Sequence, residues 1–252
     1  MDFTTKKIIV FDLDGTLAES KQSLDPEMSD LLGKLLSVKL VAIITGGGFP
    51  QLQEQVVSEL NIDNEKLKKL HLFPTKGAMM YNFDGYKWNL IYEKPLTQED
   101  KDKITTAFNK VYTEIDLLPK EHYGDLLEDR GSQFTFSAIG QKAPVEIKRY
   151  WDENATKRLE IKKHLDQYLP EFAVEIGGST SIDITQKSVD KAYAIEKICE
   201  YYNLSKEEIL FIGDAIFEGG NDYSIVKTSV SYINVSNYNE TKDIIRKIIN
   251  TN

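Results

Sequence analysis

An apolar run that ends in two closely spaced aspartates constrains this chain more than any other feature of its sequence. Residues 8–11 are Ile-Ile-Val-Phe, and Asp12 and Asp14 follow on either side of a leucine. A short apolar run that stops at a polar turn predicts a buried strand that opens into a loop. Because ligands of open α/β sheets bind at the carboxyl ends of strands, both carboxylates are expected in one site.

Two carboxylates at this spacing repel each other. At about 4 Å the repulsion is roughly 4 kcal/mol for an effective dielectric constant of about 20. A site relieves it by protonating one carboxylate or by binding a cation. The alternative is an ordinary strand-end turn in which an aspartate caps backbone amides. That alternative does not explain the apolar run, the paired acids and the following Gly15-Thr16 together.

The stretch from Phe11 to Leu17 resembles the first motif of the haloacid dehalogenase superfamily of phosphotransferases. The resemblance implies that Asp12 attacks phosphorus and forms an aspartyl phosphate, which divides one difficult transfer into two easier ones. It also implies that Asp14 protonates the leaving oxygen and later deprotonates the acceptor. Residue chemistry alone does not say which of the two aspartates attacks.

Strands and helices alternate through residues 1–83, which predicts a parallel sheet covered by helices. Apolar strands are expected at 40–44 and 71–73, each preceded by a helical pattern. The same alternation returns in residues 187–252, where an apolar strand at 209–212 ends in Gly-Asp. The sequence therefore predicts a core domain made of two separate segments, residues 1–83 and 187–252.

Residues 84–186 follow a different pattern. Asp84-Gly85 between two apolar runs is a hairpin signal, and residues 133–137 alternate as a half-buried strand does. Further strands are expected at 172–176 and 182–184. We therefore predict an α/β fold with a parallel-sheet, Rossmann-like core of the haloacid dehalogenase type and an inserted α+β cap domain.

Composition excludes several functions. The formal net charge of −9 argues against a general surface for nucleic acid or anionic membranes. No apolar run approaches membrane-spanning length, and no signal-like segment is evident at the start. The single cysteine, Cys199, allows no internal disulfide and favours a reducing, cytoplasmic location.

A third aspartate, Asp214, ends the strand at 209–212. Three carboxylates that converge on one cavity form an oxygen site suited to Mg²⁺, which also neutralises the charge of a phosphate. The family resemblance implies that the ligands are the Asp12 side chain, the Asp14 backbone carbonyl and Asp214. It also implies that Asp222 supports this metal site.

Thr45 ends the second core strand, where its hydroxyl can donate to a phosphoryl oxygen. Gly46 begins a run of three glycines that lets the backbone approach a ligand closely. A glycine-rich strand end also occurs in nucleotide-binding loops. However, this one has neither the Gly-Lys-Ser/Thr ending nor the dinucleotide spacing.

Lys191 contradicts a local rule. If Ser188 is the N-cap of the following helix, Lys191 takes the position that favours glutamate in a capping box. A cation in the first turn also opposes the helix dipole, by about 0.3–1 kcal/mol. Such exceptions often mark functional sites, so we predict that Lys191 holds the phosphoryl group. The argument weakens if Asp190 is the cap, and a solvated surface lysine is the alternative.

The stretch from Phe211 to Asp222 resembles one particular family within this superfamily. Its long loop from Gly213-Asp214 to the Gly-Gly-Asn-Asp run is similar to the fourth motif of the eukaryotic-type phosphomannomutases, which carry an α/β cap. Residues 49–55 and 72–74 are similar to that family as well. The resemblance implies that Asn221 orients the phosphate site.

The same resemblance implies a substrate grip in the cap domain. Arg130 matches a family arginine that holds the phosphate remote from the reacting one, and Lys148 or Arg149 matches another. The segment 177–183 resembles the one whose serine and aspartate bind substrate, which are Ser181 and Asp183 here.

Two positions depart from the phosphomannomutase pattern. Lys21 stands where the family has an arginine after the first motif, and Gln141 stands where an arginine follows the cap strand. Lysine does not reproduce bidentate phosphate binding, and glutamine carries no charge. These departures bear on mutase specificity rather than on the core chemistry.

The leading hypothesis is a Mg²⁺-dependent phosphotransferase that interconverts hexose 1- and 6-phosphates, with mannose phosphate as substrate and a hexose bisphosphate as activator. The second is a sugar-phosphate phosphatase on the same scaffold. The third is a non-enzymatic phosphoacceptor of the receiver type, against which the large insert and the Asp-x-Asp-Gly-Thr order argue. The sequence leaves open which hexose is preferred and whether a homodimer forms through the cap.

Overall fold

The computed structural model describes residues 2–251, except residues 116, 118, 120 and 178. The chain forms two compact units, which we call the core unit and the cap unit. The core unit comprises Met1–Glu93 and Asp190–Asn252, and the cap unit comprises Lys94–Val189. None of the helices in the described ranges combines the length and apolarity that crossing a membrane requires.

The described strands are, in chain order, β1 (Ile8–Asp12), β2 (Leu40–Ile44), β3 (Leu70–Phe73), β4 (Met79–Phe83), β5 (Trp88–Glu93), β6 (Leu127–Asp129), β7 (Phe134–Ser137), β8 (Phe172–Ile176), β9 (Ser181–Gln186), β10 (Ile209–Gly213) and β11 (Ser231–Asn234). The α-helices are α1 (Pro26–Val38), α2 (Phe49–Gln55), α3 (Asn64–Leu67), α4 (Gln98–Glu114), α5 (Val145–Trp151), α6 (Thr156–Tyr168), α7 (Lys191–Tyr202) and α8 (Tyr238–Asn250).

The core unit is built on a sheet with the strand order β11-β10-β1-β2-β3-β4-β5. The first five of these pair in parallel, and β4 and β5 join in antiparallel pairing. Strand β1 is buried on both faces, since Ile9 and Phe11 pack with α1 and α8 while Ile8 and Val10 pack with α7. This explains its uninterrupted apolar sequence.

The boundaries between the units differ from those predicted. The sequence placed them at residues 84 and 187, whereas the structure divides the chain at 94 and 190. The hairpin turn at Asp84-Gly85 joins two strands of the core sheet and does not lead into the insert. Trp88 on β5 packs against Phe49 and Phe83 of the core unit, which holds β5 in this sheet.

The cap unit contains an antiparallel sheet with the order β6-β7-β9-β8. Phe134 and Phe136 on β7, with Ile182 and Ile184 on β9, pack against α4 and α6. Side chains alternate between the faces of a sheet, so the intervening positions of β7 and β9 form its second face. Those positions are polar, and they include Ser181 and Asp183, the two residues of this sheet that the sequence predicts to bind substrate.

Candidate active site

Parallel pairing brings the chemically active residues of the core unit to one edge of its sheet. Asp12 is the last residue of β1 and pairs in register with Ile44 of β2. Phe11 pairs with Ile212 of β10, so the chain leaves β10 beside Asp12. Thr45 and Asp214, which directly follow β2 and β10, therefore flank Asp12.

A buried cluster of charges forms at this edge. The Lys191 Nζ atom lies 2.5 Å from Asp12 Oδ1 and also bonds Asp222 Oδ1. Asp12 and Lys191 are each 2% exposed and Asp222 is 0% exposed. A buried charge is stable only when it is paired, so this ammonium and these carboxylates depend on one another.

The helix that carries Lys191 starts differently from the prediction. Asp190, and not Ser188, is the N-cap, and its carboxylate accepts the Tyr193 N–H. Lys191 is thus the first helical residue, and the argument from the capping box does not apply. The alternative of a solvated surface lysine is wrong, because Lys191 is buried against Asp12 and Asp222.

Two glycines make room for the carboxylates. Gly15 has a φ of +84°, and a Cβ atom there would overlap the Asp214 carboxylate. A Cβ atom at Gly213 would overlap the Asp222 carboxylate in the same way. The Ala215 N–H donates to Asp222 Oδ2 over 3.2 Å, which fixes the far end of the loop. The space that these carboxylates occupy therefore explains why glycine follows Asp14 in the first motif and precedes Asp214 in the fourth.

Oxygen atoms of Asp12, Asp214 and Asp222 lie within 4.8 Å of one another. Asp12 Oδ2 is buried and has no hydrogen-bond partner among the described residues. The Thr16 hydroxyl lies 3.5 Å from Asp214 Oδ1. A set of carboxylate oxygens with one unpartnered oxygen suits a hard divalent cation such as Mg²⁺, so these residues fit the predicted metal.

The electrostatics of this cluster favour an added cation. Burial raises the pKa of Asp12, and the Asp222 carboxylate raises it further, although Lys191 opposes both. Burial lowers the pKa of Lys191, but Asp12 and Asp222 more than offset this, and its pKa lies above the ordinary value. Burial and Asp222 also raise the pKa of Asp214. Among the described residues, the carboxylates of Asp12, Asp214 and Asp222 thus lie around the Lys191 ammonium.

Asp14 lies in the loop after β1 and is half-buried. Its Oδ1 atom accepts the backbone N–H of Lys21 over 2.6 Å. Lys21, expected to contact substrate with its side chain, has an exposed side chain and a backbone φ of +62°.

The predicted phosphate-binding residues differ in exposure. Thr45 is buried, and its hydroxyl oxygen accepts the Gly47 N–H over 3.2 Å, which leaves the O–H to donate elsewhere. Gly46 lies directly beside it and is half-buried. Asn221 precedes the buried Asp222 but is itself exposed.

The predicted basic residues of the cap unit already have partners or face solvent. Arg130 Nη2 lies 2.8 Å from Glu128 Oε2, and both side chains are partly exposed. Lys148 Nζ donates to the Gln141 carbonyl oxygen over 2.9 Å. Arg149 is exposed.

Ser181 and Asp183 lie on the polar face of the cap sheet. Ser181 pairs with Ser137, and Asp183 pairs with Thr135, whose hydroxyl donates to Asp183 Oδ1 over 2.9 Å. The structure therefore brings these two predicted residues together on one face. Gly178, which belongs to the same predicted segment, lies outside the described residues.

Three contacts of the site were not predicted, because no pattern in the sequence indicated them. The ion pair between Lys191 and Asp222 joins residues 31 positions apart. The contact of Thr16 with Asp214 joins two motifs, and the Lys21 N–H reaches Asp14 across a loop. Each contact depends on the positions of loops at the carboxyl ends of the strands, and short sequence patterns do not predict those positions.

Comparison with known proteins shows the family of this chain. A family model described as haloacid dehalogenase-like hydrolase matches residues 9–252. The phosphomannomutase of Spinacia oleracea is 29% identical over 225 residues, which cover 86% of this chain and 85% of that protein. That of Schizosaccharomyces pombe is 26% identical over 252 residues, or 97% of this chain and 95% of that protein.

The structure of Plasmodium falciparum IMP-nucleotidase is similar in fold, with a TM-score of 0.77 at 15% sequence identity. The match covers 99% of this chain and 70% of that one. The predicted capped Rossmann-like fold is confirmed. The chain belongs to the haloacid dehalogenase-like hydrolase family and is an enzyme of that family.

Proposed function

We propose that this enzyme is a Mg²⁺-dependent phosphotransferase that interconverts hexose 1- and 6-phosphates through an aspartyl phosphate. The observation that carries the proposal is how the two carboxylate oxygens of Asp12 are partnered. One of its carboxylate oxygens is held by Lys191, and the other is buried without a partner among the described residues. The relatives that are named phosphomannomutase support the choice of reaction.

In the first half-reaction, Asp12 Oδ2 forms a bond to phosphorus while the bond from phosphorus to the sugar oxygen breaks. Asp14 donates its proton to that leaving oxygen, which takes the electron pair of the broken bond. In the second half-reaction, Asp14 takes a proton from the free hydroxyl of a hexose monophosphate as that hydroxyl attacks the phosphorus. The bond from phosphorus to Asp12 Oδ2 breaks with its electron pair on Asp12, which gives the hexose bisphosphate. Lys191 remains beside Asp12 and offsets its negative charge.

Asp12, the Asp14 carbonyl and Asp214 would hold Mg²⁺, with Asp222 beside them. The bound ion would supply positive charge to the phosphoryl oxygens. Thr45 would donate its hydroxyl to the phosphoryl group, with Gly46 and Asn221 completing the phosphate site.

The cap unit would grip the phosphate that is not reacting. Arg130 and Lys148 or Arg149 would supply the charge, and Ser181 and Asp183 would orient sugar hydroxyls. A mutase must retain its hexose bisphosphate intermediate long enough for that molecule to turn end for end, so that its other phosphate faces Asp12. Lys21 and Gln141 replace family arginines and weaken this retention, so we propose that some intermediate is lost to water and released as inorganic phosphate.

The test starts from mannose 1-phosphate, a hexose bisphosphate activator and Mg²⁺. It measures the isomerised hexose phosphate and the inorganic phosphate from the same sample. We expect both products, with neither formed by Asp12→Asn or after removal of the metal with a chelator. Inorganic phosphate alone would make the enzyme a sugar-phosphate phosphatase. A long-lived aspartyl phosphate without sugar turnover would favour the receiver-type function.

A further inference from the structure

The carboxylate of Asp14 is held by a backbone group from another part of its loop. The Lys21 N–H donates to Asp14 Oδ1 over 2.6 Å. This distance is short for an N–H donor. The contact joins the proposed acid–base residue to an exposed residue.

Lys21 adopts an uncommon conformation to make this contact. The Gln22 N–H donates to the Glu19 carbonyl over 2.9 Å, which closes a turn with Lys21 as its third residue. Lys21 has a φ of +62°. A positive φ at the third position of a turn favours glycine or asparagine, and lysine has no local reason to adopt it. Such outliers persist where the surrounding structure enforces them, often at functional sites.

The loop around Lys21 is anchored on both sides. Before it, the Gly15 N–H donates to the Ala18 carbonyl over 2.7 Å, and Ala18 is buried. After it, the Leu24 N–H donates to the Gln55 carbonyl over 2.9 Å, and Leu24 is buried. The exposed residues between these anchors therefore form a short loop, from which the Lys21 N–H donates to Asp14.

We propose that Lys21 positions the Asp14 carboxylate through its backbone N–H, and that this role is independent of the lysine side chain. Holding Oδ1 would fix the orientation of the carboxyl group, so that the second oxygen is free to deliver the proton when Asp14 acts as the general acid. The proton then moves from Asp14 to that oxygen as the phosphorus–oxygen bond breaks. This inference rests on the proposed function of Asp14 and makes Lys21 a positioning residue.

A comparison of two substrates with different leaving groups distinguishes this role from a merely structural one. The departure of a basic sugar alkoxide requires a proton from the general acid, whereas the departure of p-nitrophenolate requires much less help. Single-turnover rates of enzyme phosphorylation are therefore measured with mannose 6-phosphate and with p-nitrophenyl phosphate, both with Mg²⁺. The ratio of the two rates reports how well Asp14 delivers its proton.

The variants are Lys21→Gly, Lys21→Asn, Lys21→Ala and Lys21→Val. All four remove the positive charge, but they differ in how readily they adopt a positive φ, which falls from glycine to the β-branched valine. Ser229→Val is the matched control. Ser229 is exposed and has a φ of +65°, but it precedes β11 at the opposite edge of the core sheet.

We expect Lys21→Val to lower the rate ratio of mannose 6-phosphate to p-nitrophenyl phosphate by roughly tenfold, part of what a general acid contributes. Lys21→Ala should lower it less, Lys21→Gly and Lys21→Asn should lower it least of the four, and Ser229→Val should preserve it. An equal fall in all four Lys21 variants would assign the role to the charge and overturn the inference. A ratio that Lys21→Ala and Lys21→Val leave unchanged would overturn it as well.

Asp14→Asn distinguishes this inference from the proposed function. If Asp14→Asn does not lower the ratio, Asp14 is not the general acid and the proposed function fails at that point. If Asp14→Asn lowers the ratio while the Lys21 series does not, only the role of Lys21 fails. Should Lys21→Val not fold, the comparison of Lys21→Ala with Lys21→Gly carries the same test.

Discussion

The core unit and the cap unit bury polar groups in different ways. At the edge of the core sheet, Lys191 and two aspartates form a charged cluster in which one oxygen of Asp12 has no hydrogen-bond partner among the described residues. On the polar face of the cap sheet, hydroxyl groups make the contacts, as Thr135 does with Asp183. The core arrangement is costly in folding free energy and suits covalent chemistry, whereas the cap arrangement suits recognition of hydroxyl-bearing ligands.

The cap unit also contains a buried ion pair, but its geometry is structural. Arg158 Nε lies 2.9 Å from Asp152 Oδ2, and the same carboxylate oxygen accepts the Arg158 backbone N–H. The pair therefore closes the first turn of α6, whose N-cap residue Ala155 supplies no side-chain hydrogen bond. Both oxygens of Asp152 accept hydrogen bonds, whereas Asp12 Oδ2 has no partner among the described residues, and this difference separates the reactive cluster from the structural ion pair.

The largest effect is expected from Asp12→Asn. The substitution is nearly isosteric and removes the nucleophile, so turnover should fall by more than about a thousandfold. The fold should persist, because Lys191 keeps its contact with Asp222. Turnover is measured with mannose 1-phosphate, and folding by thermal unfolding. Activity above a few per cent of the parent would mean that another residue attacks.

The next effect concerns Lys191→Ala. The helix-dipole argument alone predicts unchanged or improved folding, but the buried ion pairs reverse this expectation. Removing the ammonium leaves Asp12 and Asp222 uncompensated, so the free energy of unfolding should fall by about 3–5 kcal/mol. Turnover should fall by orders of magnitude.

Denaturant unfolding measures the loss of stability, and Lys197→Ala is the control. Lys197 lies on the same helix, and its partly exposed pair with Glu200 contributes about 1 kcal/mol or less. An equal stability for the two variants would contradict the account of the buried cluster.

A smaller effect involves His71, a neutral buried group of the core unit. Burial lowers the pKa of His71 to about 4, and its ring contacts the Tyr202 hydroxyl. Because the unfolded chain binds the proton first, stability is lost as pH falls from about 6.5 to about 4. Between about pH 7 and about pH 4.5, the free energy of unfolding of the parent should fall by about 2–3 kcal/mol more than that of His71→Gln. Parallel pH dependences of the two unfolding free energies would refute this.

The smallest effect on stability, but a selective one on products, is expected from Arg130→Ala in the cap unit. Its partly exposed ion pair with Glu128 contributes at most about 1 kcal/mol to folding. Isomerisation should fall several times more than hydrolysis, since the proposed grip acts on the non-reacting phosphate. The observable is the ratio of isomerised hexose phosphate to inorganic phosphate. An unchanged ratio would remove Arg130 from the substrate site.

Much of the core unit could be predicted because its signals are local. Strand β1 is buried on both faces, so it reads as one apolar run, and parallel pairing then brings Asp12 and Asp214 to the same edge. The membership of β5 could not be predicted, because a hairpin signal does not say which sheet the hairpin joins. The burial of Lys191 could not be predicted from the capping pattern, because Asp190 is the N-cap and the ion pairs that accompany the burial are with Asp12 and Asp222, which are distant in sequence. The roles of the site residues stay predictions.

The central claim is that Asp12 receives the phosphoryl group. The enzyme is mixed with mannose 1-phosphate and Mg²⁺, quenched in acid within the first turnovers and reduced with borohydride, which converts an acyl phosphate to an alcohol. Tandem mass spectrometry then locates the converted aspartate. The account predicts conversion at Asp12 and none in Asp12→Asn. Conversion at Asp14 or at another residue would contradict it.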